Sequence, residues 1–316
     1  MPSAQAHAAA PADAPRQRPS LGAALALAAG DIKISHSVFA LPFAVLGAFM
    51  AFDRGAGWGR FGGQLALVVA CMVLARTWAM LVNRLADARF DAANPRTAGR
   101  AVASGRLPAG AAAVFAGACA AGFVAACWLF LLCFANPWPV ALALPVLGWL
   151  ALYSFAKRFT ALCHVLLGSA LAISPLAAAL AVRPHALADT PALLALSAMV
   201  LLWVAGFDIV YALQDEAFDR AQGLRSIPAR LGARGAATLS RVLHAGAALA
   251  LLAAWRLEPR FGTLFLAGAV LASALLAVEH AVLERRGLAG LPLAFFTLNG
   301  VVSCLVGAAG VTDLLA

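Results

Sequence analysis

Two stretches of this 316-residue chain carry carboxylates at spacings that suit cation binding. Asn83, Asp87 and Asp91 recur every four residues in NRLADARFD, and Asp208, Tyr211, Asp215 and Asp219 recur at steps of three and four in DIVYALQDEAFD. At about 100° per residue, helical positions eight apart lie within roughly 80° of each other, so each set stripes one helix face. The stretches echo one another as LADARFD and LQDEAFD, and each is followed by an arginine, Arg96 or Arg225, and by helix-stopping residues, Asn94-Pro95 or Gly223. Like carboxylates four residues apart repel, and several of them beside a low-dielectric slab are costly unless a cation sits between them. A ligand set of oxygens without His or Cys points to a hard ion, and Mg²⁺ in particular binds through a few carboxylates together with substrate phosphates. The chemistry implied is the capture and departure of a diphosphate, with Arg96, Arg100, Arg106, Lys157, Arg158, Arg225 and Arg230 supplying positive charge.

The elements that position these residues belong to a membrane. The chain is 63% hydrophobic and 12% charged, with a mean hydropathy of +0.89, whereas soluble domains carry about a quarter charged residues. A span needs about 20 mostly apolar residues, and nine stretches qualify, roughly 34–52, 63–83, 110–134, 138–156, 161–182, 191–213, 236–255, 262–283 and 291–314. The expected fold is therefore an all-α bundle of nine transmembrane helices. Only Asn136-Pro137-Trp138-Pro139 separates the third from the fourth, and a merged reading leaves eight. The first 20 residues are rich in Ala and Pro without an apolar signal-peptide core, so 1–20 reads as a disordered cytoplasmic tail and 21–316 as one polytopic domain.

With the N-terminus inside, most of the 23 basic residues fall on the cytoplasmic side. The outer side receives Arg54, Arg60, Arg183, Arg256 and Arg260, and Arg76 lies within a span. That asymmetry is the positive-inside bias, and it places both acidic stretches at the cytoplasmic face. It also accounts for most of the net charge of +9 without a nucleic-acid partner. The second and sixth spans run parallel and end on the same side, so their acids can face each other. All six cysteines fall within expected spans without metal-ligand spacing and read as small core residues. His36 and His164, near inner helix ends, read as packing or capping residues.

At these residues the chain resembles the membrane-embedded aromatic prenyltransferases of the UbiA superfamily, which carry N-x-x-x-D-x-x-x-D on the second helix and D-x-x-Y-x-x-Q-D-x-x-x-D on the sixth. The first motif reads Asn83-RLA-Asp87-ARF-Asp91, followed by NPRTAGRAVASGRL, and the second Asp208-IV-Tyr211-AL-Gln214-Asp215-EAF-Asp219. Tyr153-SFA-Lys157-Arg158-FT and AFFTLNG at 294–300 extend the resemblance, which runs from about residue 33 to the C-terminus. One departure is Arg84, where many members have Asp after the motif's Asn. Together with NPRTAGR it is similar to the branch grouped with menaquinone-pathway enzymes.

The resemblance implies a helical bundle around a central cavity, open to the cytoplasm at a polar mouth and laterally to lipid, in the inner membrane. It implies Mg²⁺ held by Asn83, Asp87 and Asp91 on one side and by Asp215 and Asp219 on the other, gripping a polyprenyl diphosphate. Departure of the diphosphate leaves an allylic cation, which the ring of a phenolic acid attacks ortho to its hydroxyl. The acceptor would be 4-hydroxybenzoate in ubiquinone synthesis or a hydroxynaphthoate in menaquinone synthesis, with no obligatory protein partner. On the same grounds Lys157 and Arg100 contact the diphosphate, and Arg158 contacts either the diphosphate or the acceptor carboxylate. Asp208 and Tyr211 orient the acceptor or the cation, and Arg96, Tyr153, Gln214, Arg225 and Asn299 are further substrate-binding candidates. Two rival readings are weighed against it. A secondary transporter usually places coupling residues near the bilayer midplane on broken helices, whereas these acids lie at helix ends. A CDP-alcohol phosphotransferase needs a compact acidic segment that Asp87-Ala88-Arg89 does not supply.

Overall fold

A computed structural model describes residues 20–31 and 39–316. The described residues form helices and no strands, as a chain must whose backbone groups find no water in hydrocarbon and bond within their own segment. In order these are α1 (Leu21–Asp31), α2 (Leu41–Ala51), α3 (Trp58–Ala86), α4 (Ala88–Ala93), α5 (Ala109–Phe134), α6 (Trp138–Leu152), α7 (Cys163–Val182) and α8 (Ala186–Asp189). They continue with α9 (Ala192–Ala212), α10 (Glu216–Ala221), α11 (Ile227–Leu257), α12 (Thr263–Arg286) and α13 (Asn299–Leu315).

Among the described residues eight helical segments are long and apolar enough to cross a membrane, so this is an integral multi-pass membrane protein. The first of the nine expected spans is represented by α2, whose 11 residues cover about 16 Å at 1.5 Å per residue, short of a hydrocarbon core of about 30 Å. Residues 32–38, with Lys33 and His36, lie outside the described residues, as do 1–19, where the tail was expected. Helix α1 was not anticipated. Its Ala24 and Ala28 belong to one buried cluster with Leu81 of α3, Ala112 and Ala116 of α5, and Ala101, Val102 and Leu107 of the segment that follows the first acidic motif.

The chain closes a ring in which α2 packs on α3, α3 on α5, α5 on α6, α6 on α7, α7 on α9, α9 on α11, α11 on α12, α12 on α13, and α13 back on α2. Helix α2 also packs against α7. The break between α5 and α6 is real: Ala135 takes a left-handed conformation, φ 55°, and the buried Asn136 side chain donates to the carbonyls of Leu180 and Ala181, both at 2.9 Å, while its oxygen caps the Trp138 N–H. The merged reading is thereby excluded. Turn-forming residues alone marked this break in the sequence, and their hydrogen bonds to α7 are what hold it.

In lipid the driving force between helices is close packing, which small residues permit. A Cβ on Gly47 of α2 would stand 2.3 Å from the Pro175 carbonyl oxygen of α7, and one on Gly168 of α7 would stand 2.4 Å from the Leu201 carbonyl oxygen of α9. Gly168→Val is therefore expected to lower the stability of the detergent-solubilised protein by about 1–3 kcal/mol. Gly117→Val, at an exposed position with open space around its Cα, should leave the thermal midpoint nearly unchanged, and equal losses in the two variants would contradict the close α7–α9 approach.

Candidate active site

Both acidic motifs are broken at the same relative position. Helix α3 stops at Ala86, Asp87 turns out of helical geometry with φ −94° and ψ 4°, and α4 carries Asp91 onward. Helix α9 stops at Ala212, a 3₁₀ turn over Leu213–Asp215 follows, Asp215 has φ −106° and ψ 3°, and α10 carries Asp219. The echo seen in the sequence is thus an echo in backbone: the first aspartate after each long helix sits at a kink, and the second lies on the short helix beyond it. The expected helix stops also hold, with α4 ending before Asn94 and Gly223 taking φ 67° after α10.

Asn83, Asp87 and Asp91 line one cavity together with Asp208, Tyr211, Asp215 and Asp219. Its volume is about 550 Å³. Every aspartate of the mouth is matched to a cation. Arg100 donates to both oxygens of Asp91 at 2.7 and 2.8 Å. Arg96 forks onto Asp215, Nε to Oδ1 at 2.9 Å and Nη2 to Oδ2 at 2.5 Å, while Asn94 adds a bond of 3.0 Å to Oδ1. Lys157 stands 3.3 Å from Asp219, and Arg158 stands 3.5 Å from Asp87. Asn83 donates to Asp87 at 3.0 Å and accepts from Arg84 at 2.8 Å. Burial, and next the neighbouring Asp91 carboxylate, push the Asp87 acid above its ordinary range, against the pull of Arg158 and Lys157.

Aromatic rings fix the cations. The Arg96 guanidinium lies 5.6 Å from the centre of the Tyr211 ring and Arg158 lies 4.9 Å from that of Phe155, distances suited to cation–π attraction. Tyr211 rests on Phe295 with ring centres 4.2 Å apart. Phe295 belongs to a π-helix over Pro292–Leu298, a widened turn often found at functional sites.

Lys157, Arg158, Arg96, Arg100 and Tyr153 line the cavity as expected, and three of the proposed residues do not. Gln214 folds back onto the Tyr211 carbonyl. Arg225 donates its side chain to the Phe159 carbonyl and its backbone N–H to that of Lys157, which holds the Lys157 segment rather than a ligand. Asn299 is fully buried, accepting from Trp203 at 2.5 Å and donating to Glu279 and the Ala294 carbonyl. Its amide is consumed by three helices packing around it. Arg106 and Arg230 also stay outside the cavity.

Sequence reasoning missed other cavity residues. His164 is not merely a capping group: its Nδ1 stands 2.6 Å from Asp208 Oδ2, and its Nε2 is 3.3 Å from the Ile227 N–H. Because Nε2 accepts, Nδ1 carries the proton toward Asp208. Asn94, Arg84 and Arg76 line the cavity too. Arg76 was visible as a charge inside a span, the strongest signal of the four.

The donor set of the mouth is carboxylate and amide oxygen. Among the described residues no three His, Cys, Asp or Glu side chains converge on one point; instead two pairs from two motifs line one cavity. A hard divalent ion that takes one or two carboxylates and completes its shell with phosphate oxygens and water fits such a set.

The sequence profile described as UbiA prenyltransferase family matches residues 40–301. The 4-hydroxybenzoate octaprenyltransferase of Alkalilimnicola ehrlichii is 31% identical over 224 residues, which is 70% of this chain and 72% of that one. The enzyme of the same name from Azotobacter vinelandii is 30% identical over 70% of this chain and 72% of its own. Among solved structures, the apo form of a UbiA homolog from Aeropyrum pernix K1 superposes with a TM-score of 0.78 at 30% identity, covering 89% of this chain and 98% of that one. A UbiA homolog from Archaeoglobus fulgidus bound to GPP and Mg²⁺ shares the fold, with a TM-score of 0.66 at 18% identity over 92% of this chain and all of that one.

The bond between Asp215 and Arg96 crosses from one motif to the segment after the other. In a double-mutant cycle of Arg96→Ala and Asp215→Ala, thermal unfolding should show a coupling of about 1 kcal/mol, kept small because Arg96 is partly exposed. Strictly additive losses would mean that the two motifs are not tied through this pair.

Proposed function

This chain belongs to the UbiA prenyltransferase family and is an aromatic prenyltransferase; from that premise we propose that it transfers a polyprenyl group from polyprenyl diphosphate to 4-hydroxybenzoate, with Mg²⁺, in respiratory quinone biosynthesis. The observation that carries this reading is the pairing of two acidic motifs, each with its own basic partners, at one end of a cavity whose deeper lining is largely apolar. A charged headgroup and a long hydrocarbon tail on one molecule suit such a cavity. The names of the relatives support 4-hydroxybenzoate over a hydroxynaphthoate as the acceptor. Family membership argues against the transporter reading.

Asn83, Asp87 and Asp91 would hold the cation from one side, and Asp215 and Asp219 from the other. Bound there, Mg²⁺ would neutralise the diphosphate and stabilise the charge that develops as it leaves. Arg96, Arg100, Lys157 and Arg158 are held on the aspartates at 2.5–3.5 Å, and a diphosphate entering among them competes for the same donors. They then act as preset donors for the departing oxygens, with little reorganisation at the moment of reaction. The C–O bond breaks with its electron pair on the diphosphate, a ring π pair of the acceptor forms the new C–C bond ortho to the hydroxyl, and loss of the ring proton restores aromaticity. Tyr211 and Phe295 line the cavity beside the aspartates and would border the path of the allylic cation, and Asp208, oriented by His164, accepts from the phenol. The basic bias supports a cytoplasmic mouth in the inner membrane: Arg54, Arg60, Arg183, Arg256 and Arg260 belong to the end opposite the acids.

Asp87→Ala and Asp215→Ala should each lower the product-forming rate by roughly 10²–10³-fold or more, while the protein still elutes as a folded species in detergent. Chelation of divalent ions should abolish prenyl transfer, and added Mg²⁺ should restore it. Full activity in either variant or under chelation, measured by the lipid product formed from labelled polyprenyl diphosphate and 4-hydroxybenzoate, would contradict the assignment.

A further inference from the structure

Cys71 of α3 and Cys127 of α5 line the deep part of the cavity with their sulfur atoms 4.0 Å apart. The two lie 56 residues apart in the chain, so no sequence motif pairs them; the packing of α3 on α5 does. That packing is close, for a Cβ on Gly122 of α5 would stand 3.3 Å from Leu74 Cδ2 of α3. Both thiols are free. Cys127 is buried and Cys71 half-buried, and their buried neighbours Ala75, Phe123, Ala143 and Leu147 carry no side-chain oxygen or nitrogen. The acids of the mouth are remote. Cys71 lies twelve residues below Asn83, about 18 Å along the helix axis.

Two thiols facing one cavity are a ligand set for a soft ion. With metal–sulfur bonds of about 2.3 Å, sulfurs 4.0 Å apart subtend roughly 120° at a shared ion, so both can bind it where they stand. Zinc in a closed site takes four ligands, and this apolar wall offers two. Mg²⁺ takes oxygen ligands and suits the mouth instead. Monovalent copper is soft and accepts two or three ligands. The thiols give up their protons as the bonds form. Arg76 lines the same cavity, about 7–8 Å further along α3, and supplies a positive charge near the anionic centre that two thiolates make around Cu(I). We propose that Cys71 and Cys127 form a binding site for a soft, thiophilic metal ion, Cu(I), on the deep wall of the cavity. The site needs only this geometry; its effect on turnover rests on the prenyl-transfer reading given above. An ion held there occupies part of the path of a long tail and leaves the mouth untouched. A geranyl chain ends short of that depth, whereas an octaprenyl chain passes it. Copper is then an inhibitor whose effect depends on donor length.

The test titrates Cu(I), with reductant and without oxygen, into the full-length protein in detergent against a chromogenic Cu(I) chelator, and counts copper per chain after desalting. The native protein should keep close to a single copper per chain. Bound copper should also shield Cys71 and Cys127 from a membrane-permeant maleimide, read peptide by peptide by mass spectrometry. Cys71→Ser and Cys127→Ser should each lose the ion, whereas Cys133→Ser, at an exposed position, should keep it. Copper retained in both cavity variants, or surrendered entirely to the chelator by the native protein, overturns the proposal. If the serine variants do not elute as folded species, the shielding in native protein decides, and equal alkylation of the two thiols with and without copper overturns it. In the activity arm, stoichiometric copper should suppress transfer from octaprenyl diphosphate to 4-hydroxybenzoate and leave transfer from geranyl diphosphate unchanged. Equal suppression of both donors overturns the placement of the ion on the tail path. Native protein that binds copper yet transfers neither tail overturns the functional reading, while the copper count still decides the metal site.

Discussion

Four carboxylates gathered at the edge of a low-dielectric slab must each be neutralised, and the architecture of the mouth follows from how that is done. One aspartate, Asp91, is matched by an arginine of its own segment, Arg100. The others are matched across the fold: Asp215 by Arg96, Asp219 by Lys157 and Asp87 by Arg158. Each cross pair ties one stretch of chain to another, so the charges that would repel in isolation fasten the mouth together. The kinks at Asp87 and Asp215 belong to the same solution. They interrupt α3 before α4 and α9 before α10, at the level where Arg96 and Lys157 reach the acids. A mouth built this way is electrically balanced in its resting state, and its basic groups already stand where an anionic headgroup needs them.

What was legible in the sequence was whatever local helical geometry decides. The i, i+4, i+8 spacing in NRLADARFD and its echo in QDEAFD required no knowledge of the fold, and the helix stops at Asn94 and Gly223 followed from residue type. Partner choice was not legible, because it depends on which segments the ring brings together. Arg96, Arg100, Lys157 and Arg158 were all recognised as basic groups near the acids, and nothing in their order along the chain says which takes which aspartate. The kinks were hidden for a related reason: Asp87 and Asp215 have no Pro or Gly beside them to mark a break. His164 and Asn299 exchanged roles for want of depth information. A histidine near a helix end faced the cavity, and an asparagine inside an apolar helix was used up in packing.

The short α2 is the point where the expected nine-span pattern meets a steric constraint. It packs on both α7 and α13, and the contact at Gly47 leaves no room for a side chain against the Pro175 carbonyl. On its other flank a Cβ at Gly307 of α13 would stand 2.7 Å from Pro42. With Trp203 and Phe43 fully buried and in ring contact, 5.4 Å between centres, the crossing of α2, α7 and α9 is closely filled. The cavity therefore lies to one side of this crossing, bounded by α3, α5 and α6 as well as by α7 and α9.

Depth along α3 then orders the chemistry. The cavity follows this helix from Val68 to Asp87, about 28 Å of helix axis, with apolar residues at the far end, Arg76 between, and the acids at the kink. Across from it, Phe295 meets Tyr211 from a segment where the chain widens into a π-helix over Pro292–Leu298. A π-turn displaces backbone carbonyls from regular partners, and in hydrocarbon such a group must be satisfied by another donor. Asn299 supplies it, donating to the Ala294 carbonyl while also bonding Glu279 and Trp203. The buried network of α9, α12 and α13 thus reaches the irregular turn that carries Phe295, and so a polar cluster outside the cavity braces the segment that supplies its aromatic wall.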